Sequence, residues 1–315
     1  MDDRKDQLDG RAVALLLLCS MLWGLNQVAT KVALAEIPPL LQAAARSLGA
    51  AALLMLWAQR RGLALWQRDG TAGAGLLAGA LFAAEFACIF IGLQFTTASR
   101  MVVFIYLSPF VVALGMPLLS ARERLDRWQS VGLLAAFGGV LWAFAEGFGA
   151  PAAGPQQWLG DALGIAGALL WGLTTLVLRG SRLSTAAPEK TLLYQLLVSG
   201  VALGLGAMAA DETWPAQPGA LSLGALAFQT VVVTFASYLV WFWLVRHYPA
   251  TRISAFTLLT PVFGLLAGVA LLGEPVTPRL LLALLAVSCG IALVNRLHPL
   301  RWALRLGDRL RRRPR

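Results

Sequence analysis

The sequence predicts an all-α integral membrane protein, with ten transmembrane helices arranged as two inverted five-helix repeats. Three observations predict it. Hydrophobic residues make up 58% of the chain and charged residues 13%, against about 45–50% and about 25% in soluble domains. A soluble core could not hide that much apolar surface, whereas lipid covers it. The chain also writes one plan twice. Trp23-Gly24-Leu25 returns as Trp171-Gly172-Leu173, and Phe104-Ile105-Tyr106-Leu107-Ser108-Pro109 as Phe256-Thr257-Leu258-Leu259-Thr260-Pro261. Glu123 returns as Glu274 and Gly139-Val140 as Gly290-Ile291, so that the four offsets are 148, 152, 151 and 151 residues. Third, basic residues crowd alternate loops, the bias expected of a multispanning chain.

The polar breaks set the spans. In the first half they run over 12–34, 38–58, 74–96, 98–119 and 128–147, and in the second over 159–178, 191–209, 220–245, 250–272 and 280–296. Most reach the ~20 residues that cross a bilayer core as helix, and the last is the shortest. Long continuous apolar runs disfavour a barrel, whose strands alternate over ~10 residues. The first span outruns a signal-peptide core and meets no small-residue cleavage site, so it reads as a retained helix.

Each span then carries its own marks. Span one places Trp23, Asn26 and Thr30 on one face by i, i+3, i+7 spacing. Spans two and three hold Arg46 and Glu85, both well inside apolar runs. Span four has Tyr106, Ser108 and a mid-helix Pro109; span six has Trp171 and Thr174. Span seven carries Gln195 where span two carries Arg46. Span eight lines up Thr230, Thr234, Ser237 and Trp241, with Tyr238 beside them. Span nine has Ser254, Thr257, Thr260 and a mid-helix Pro261, and spans five and ten are the glycine-bearing ends of the two halves.

Loop charges set the orientation. With the N-terminus inside, the cytoplasmic segments and tail hold 22 of the 26 basic residues, and the outer loops only Arg100 and Arg279. The organisation is a cytoplasmic N-terminal segment 1–11, a first repeat 12–147, an outer linker 148–158, a second repeat 159–296 and a basic cytoplasmic tail 297–315. Five spans per half is an odd number, so the second half sits upside-down relative to the first. Paired membrane halves of this kind enclose a midplane site in secondary transporters. The tail, with Trp302 and four leucines among its arginines, reads as a segment lying on the anionic inner leaflet.

Several classes are disfavoured. No Gly-x-x-x-x-Gly-Lys-Ser/Thr loop is present for ATP hydrolysis. Cys19, Cys88 and Cys289 lie in separate spans without Cys-x-x-Cys spacing, and read as buried packing thiols. His247 and His298 fall at span edges, leaving a zinc or haem site without ligands, so no metal and no cofactor is expected. No Ser-His-Asp set shares one depth, so the chain is not read as an enzyme. The net charge of +10 is spread over loops and tail with no aromatic-interleaved face for nucleic acid.

The candidate site follows from the prolines. A proline inside a helix removes a backbone donor and frees the carbonyl four residues earlier, here Ile105 and Thr257. Matching breaks in two halves point to a transport site and gating elements; a packing kink without ligand contact is the alternative. Polar groups at that depth turn inward, either bonding a neighbouring helix or lining a cavity. The substrate-binding candidates are Trp23, Asn26, Glu85, Tyr106, Ser108, Trp171, Thr174, Tyr238, Thr257 and Thr260. Ring faces with neutral hydrogen-bonding groups suit a small amphipathic metabolite better than an inorganic ion. Glu85 either forms a buried ion pair with Arg46 or faces the cavity, holding a cationic group or exchanging a proton. Glu123 and Glu274 read as cap or loop clamps, and the small-xxx-small glycine pairs as helix packing.

The ordered, duplicated set of Trp-Gly, mid-helix Pro, loop Glu and glycine-bearing last helix resembles the EamA family of the drug/metabolite transporter superfamily. The resemblance covers roughly residues 10–297. It implies a secondary transporter of the bacterial inner membrane that moves an amino acid or related metabolite by alternating access, with export favoured. An uptake carrier for a cationic or nucleotide-type metabolite, and a non-transporting scaffold or sensor subunit, are the alternatives. The implied cavity is bordered by helices one, three, four, six, eight and nine. The expected partners are a small-molecule substrate and the lipid bilayer, and a homodimer is the one protein partner the reading admits. Gln195 departs from the family's pattern, and Glu85 is no family-wide mark.

Overall fold

The computed structural model describes residue 5 and residues 7–92, 95–96, 98–143, 145, 154–272 and 278–294. Glu274, His298, the tail 297–315 and most of the linker 148–158 lie outside the described residues, so the expectations placed on them are not addressed.

The described residues form α1 (Gly10–Leu34), α2 (Pro39–Arg60), α3 (Ala72–Gly92), α4a (Ala98–Ile105), α4b (Ser108–Leu119) and α5 (Arg127–Ala143). The second half forms α6 (Gln157–Gly180), α7 (Pro188–Ala209), α8 (Ala220–His247), α9a (Ala250–Phe256), α9b (Leu259–Leu272) and α10 (Pro278–Val294). The two halves thus repeat one pattern, with a broken helix fourth in each. Among the described residues, α1, α2, α3, α6, α7 and α8 are each long and apolar enough to cross a bilayer alone. α4 and α9 are interrupted, and α5 and α10 have 17 residues each. Large apolar side chains such as Leu114, Leu118 and Leu221 point outward, as they do where the solvent is lipid.

Local chemistry starts the helices. Asp9 caps α1, its carboxylate accepting from the Ala12 N–H at 2.9 Å. α2 and α7 open on prolines, which suit a first turn because its N–H groups have no helical partner. Two departures from expectation concern helix interiors. α3 ends at Gly92 rather than running to 96. α8 contains a π-helical stretch over Gln229–Ser237, within the stripe of Thr230, Thr234, Ser237 and Trp241. Such wide turns carry no periodicity signal of their own. Cys289 also faces outward instead of into packing, while Cys19 is buried and Cys88 half-buried.

The halves interlock. α2 packs on α7, α3 on α6 and α7, α5 on α10, α1 on α9b, and α4b on α6. The repeated Trp-Gly motif serves the last two pairs differently. A Cβ on Gly24 would lie 2.7 Å from the Gly264 backbone nitrogen, so α1 and α9b meet backbone to backbone. A Cβ on Gly172 would lie 2.4 Å from the Val111 Cβ, so α6 meets a side chain of α4b. α9 is therefore drawn tightly onto α1, and α4 is held off α6 by a valine.

Candidate functional site

A cavity of about 130 Å³ lies between the halves, lined by residues of α1, α2, α3, α4a, α6, α7 and α8 and by Tyr106 at the α4 break. One wall is aromatic. The Trp23 ring packs edge-on against Trp241, Tyr238 and Trp171, with centroids 5.2, 5.9 and 6.4 Å away. Tyr106 lies 5.9 Å from Trp171, and Phe82 lies 6.0 Å from Tyr238. The Trp23 indole N–H donates to Ser237 Oγ at 2.8 Å, and that hydroxyl donates to the Val233 carbonyl at 2.6 Å. The π-helical stretch of α8 therefore holds the central tryptophan in place.

The other wall is polar and unsatisfied. Arg46, Glu85 and Gln195 are 3%, 5% and 0% exposed, and all three line the cavity with Asn26. Arg46 Nε, Glu85 Oε2, Asn26 Oδ1 and both ends of the Gln195 amide have no hydrogen-bond partner among the described residues. Buried polar groups are ordinarily bonded, so a cluster of such atoms facing one space marks a place that ligand or water fills. The possible ion pair is corrected here. Among the described residues no salt bridge joins Arg46 to Glu85, and the guanidinium instead sits 4.1 Å above the Phe86 ring centroid.

The candidates thus divide. Trp23, Asn26, Glu85, Tyr106, Trp171, Thr174 and Tyr238 meet at the cavity. Thr174 Oγ1 already donates to the Leu170 carbonyl at 2.8 Å, so its outward chemistry is limited to the acceptor side. Ser108, Thr257 and Thr260 do not line the cavity, and all three are buried in packing. Thr257 Oγ1 donates to the Ser254 carbonyl at 2.7 Å. Pro109 and Pro261 also lie off the lining, close to the N-termini of α4b and α9b, where a missing N–H costs nothing. The breaks themselves precede the prolines. Of the two carbonyls expected to be freed, that of Thr257 accepts from the Thr260 N–H at 2.9 Å. The neighbouring Phe256 carbonyl accepts from Ser20 of α1 at 3.2 Å. Helix nine, expected at the border, is replaced there by α2 and α7.

Three contributors escaped the list of candidates. Gln195 was legible as the partner of Arg46 in the repeat, but only as a departure. Phe82 and Phe86 form an aromatic ladder with ring centroids 4.9 Å apart, and an all-apolar run gives no sign of which face does this. Gln42 and Gln229 form a fully buried link between α2 and α8, with Nε2 of Gln42 donating to Oε1 of Gln229 at 3.0 Å.

Both ends of the bundle are clamped across the halves. At one end the Glu123 carboxylate pairs with Arg179, both side chains almost fully buried. Its other oxygen accepts from the Thr251 N–H at 3.2 Å, capping α9a, and Arg179 also donates to the Val245 carbonyl at 2.9 Å. At the same end Lys190 of α7 reaches Asp69 at 2.8 Å and the Gln67 carbonyl at 2.6 Å. Hydrogen bonds from Lys190 and Thr71 hold the Asp69 carboxyl well below the usual carboxylate range. At the opposite end Glu212 accepts from the Leu40 and Leu41 N–H groups at 3.3 and 2.7 Å, and Glu36 from the Gly219 N–H at 2.6 Å. The two α2–α3 and α7–α8 loops thus each clamp the start of the other half's second helix.

Comparison with known proteins agrees with this architecture. The model of the EamA-like transporter family matches residues 10–145 and 158–296. The uncharacterized transporter YvbV of Bacillus subtilis is 29% identical over 288 residues, covering 90% of this chain and 92% of its own. The uncharacterized protein PA1977 of Pseudomonas aeruginosa is 33% identical over 248 residues, covering 78% of this chain and 80% of its own. A probable amino-acid metabolite efflux pump of Escherichia coli is 24% identical over 303 residues, covering 93% and 98%. A crystal structure with 17% sequence identity shares the fold at a TM-score of 0.79, covering 92% of this chain and 98% of that one. Matched in both halves, and carrying an interlocked pair of five-helix repeats, the chain belongs to the EamA-like transporter family of the drug/metabolite transporter superfamily.

Proposed function

We propose that this chain is a secondary transporter that exports a small amphipathic metabolite, an amino acid or related compound, across the bacterial inner membrane by alternating access. The observation that carries this reading is the two-walled cavity. Trp23, Tyr106, Trp171, Tyr238 and Trp241 offer ring faces and edges to an apolar body, while Arg46 Nε, Glu85 Oε2 and the Gln195 amide offer unbonded polar atoms to a polar head. The similarity to a pump named for amino-acid metabolite efflux supports the cargo class.

The clamps supply the gates. Opening the cavity on the Glu123 side requires Arg179, Thr251 and the Val245 carbonyl to part, because they tie α4b, α6, α8 and α9a together. Opening on the other side requires Glu212 to release the start of α2. Cargo that bridges the aromatic and polar walls favours closure around itself, and each gate then opens in turn. The charge bias of the loops supports a cytoplasmic side for both termini and the Glu123 gate.

Two measurements test this. A thermal-shift panel of amino acids and related metabolites on the purified protein should reveal a stabilising ligand, because cargo binds the folded state. Flux of that ligand in proteoliposomes containing this chain alone should follow; a scaffold or sensor subunit gives none, and such a result sinks the proposal. Orientation is tested by single cysteines at the exposed Gln67 and Gln156 in a chain cleared of Cys19, Cys88 and Cys289. A membrane-impermeant thiol reagent should reach them from opposite sides of sealed vesicles, and labelling from one side ends the inverted-repeat orientation.

A further inference from the structure

Among the described residues, Gln195 is the one cavity side chain that is completely buried with neither amide end bonded. It lies 149 positions after Arg46, at the repeat-related place in α7, and both face the same space. The two helices that carry them pack on one another. The repeat therefore offers two equivalent stations on one polar wall, and this chain fills one with a cation and the other with a neutral amide.

The charge arithmetic of the wall follows. Arg46 presents a guanidinium and Glu85 a carboxyl group, and among the described residues no salt bridge joins them. An arginine at position 195 would add a second cation to the wall and suit two anionic groups. With glutamine the wall matches a ligand holding a single anion and a single N–H-bearing cation, and it adds one neutral donor and one neutral acceptor. A buried amide left empty at both ends is strongly disfavoured, so a ligand that satisfies it gains selectivity over one that does not.

We infer that Gln195 is the residue that sets the charge class of the cargo, restricting it to zwitterions with one anionic group and reading a neutral hydrogen-bonding group on them. This rests on the proposed amino-acid cargo. Under it, additional carboxylates on the cargo are rejected because no second cation lines the wall and a fully buried amide cannot solvate them.

The test is counterflow in proteoliposomes with labelled phenylalanine, glutamine and glutamate, for wild type, Gln195→Leu and Gln195→Arg. Wild type should carry phenylalanine and glutamine in preference to glutamate. Gln195→Arg should shift the preference toward glutamate by about tenfold or more. Gln195→Leu, which keeps the volume but removes the amide, should weaken glutamine more than phenylalanine while the melting temperature holds or rises. If the Arg variant does not insert, the Leu variant alone decides. An unchanged preference in a well-inserted Arg variant, or an unchanged glutamine-to-phenylalanine ratio in the Leu variant, overturns the role of Gln195. Failure of wild type to carry any of the three strikes the cargo reading itself, and this inference with it, which the wild-type arm reveals separately.

Discussion

α4 breaks between Ile105 and Ser108, and α9 between Phe256 and Leu259, each just ahead of a proline. At the first break Ile105 and Tyr106 face the cavity, with the Tyr106 ring against Trp171. At the second, the repeat-related Thr257 and Leu258 are buried away from it. The difference lies in what each helix packs on. Gly24 lets the α9b backbone close onto α1, and Ser20 bonds the carbonyl at the break. Gly172 meets the Val111 side chain instead, which leaves room beside α6 for a ring. Duplication thus preserved the break and not its use. One broken helix offers side chains to the cavity, and the other is buried in the packing against α1.

The comparison breaks hardest where the two helices are joined. Glu123, beyond the end of α4b, caps α9a and pairs with Arg179 out of solvent. Arg179→Ala leaves a buried carboxylate without its cation and should cost about 3–5 kcal/mol of stability, read as a fall in Tm of the purified protein. A loss near zero would mean that the clamp is not closed in the stable state.

Next in size is the contrast between the breaks themselves. Leu258→Ala should destabilise by about 2–5 kcal/mol with cargo affinity unchanged, because it empties a fully buried packing position. Tyr106→Ala should reduce affinity by about 1–3 kcal/mol, roughly five- to a hundred-fold, because it removes a ring from the cavity. Equal affinity losses in both would put α9 back at the border of the site. Smaller again is the pair Gly24→Ala and Gly172→Ala. The first meets backbone and should cost about 1–3 kcal/mol; the second meets the Val111 Cβ and Cγ1, so its cost should be relieved by Val111→Gly and not by Val111→Ala. Rescue of neither, or tolerance of Gly24→Ala, would remove the packing explanation.

The smallest effect lies outside the halves. A hydrogen bond from Lys5 lowers the Asp9 carboxyl to about 2, below the unfolded value of about 4. A depressed carboxyl stabilises above its unfolded value, and that contribution is lost as pH falls from about 4 toward 2. Asp9 is well exposed, so screening keeps the effect under about 1 kcal/mol. Tm should therefore fall slightly more between pH 5 and pH 3 in wild type than in Asp9→Asn, which keeps a capping side chain but does not titrate.

Most of the fold was legible because lipid imposes a simple demand. Every span must be apolar and long, and the duplicated Trp-Gly and proline motifs number the helices. The aromatic wall was legible for the same reason, since Trp23 and Trp171 repeat at one depth. The polar wall was half legible. Arg46 and Glu85 stand out in apolar runs, but the Phe86 ring on which the guanidinium stacks is located by no spacing rule. Ser108, Thr257 and Thr260 were placed on the cavity by depth alone, and depth does not say which face a broken helix turns inward. That face is decided by Gly264 and Val111, ordinary residues of apolar helices. The π-helical stretch of α8 was hidden because it changes backbone register and leaves composition unchanged.

The central claim is that the cavity ringed by Trp23, Asn26, Tyr106 and Trp171 holds the cargo. Its most direct test is transport of the ligand found by thermal shift, measured for the four single alanine variants at matched membrane expression. The account predicts that each loses about five- to a hundred-fold in apparent affinity while remaining inserted and folded. Wild-type affinity and flux in all four would contradict it.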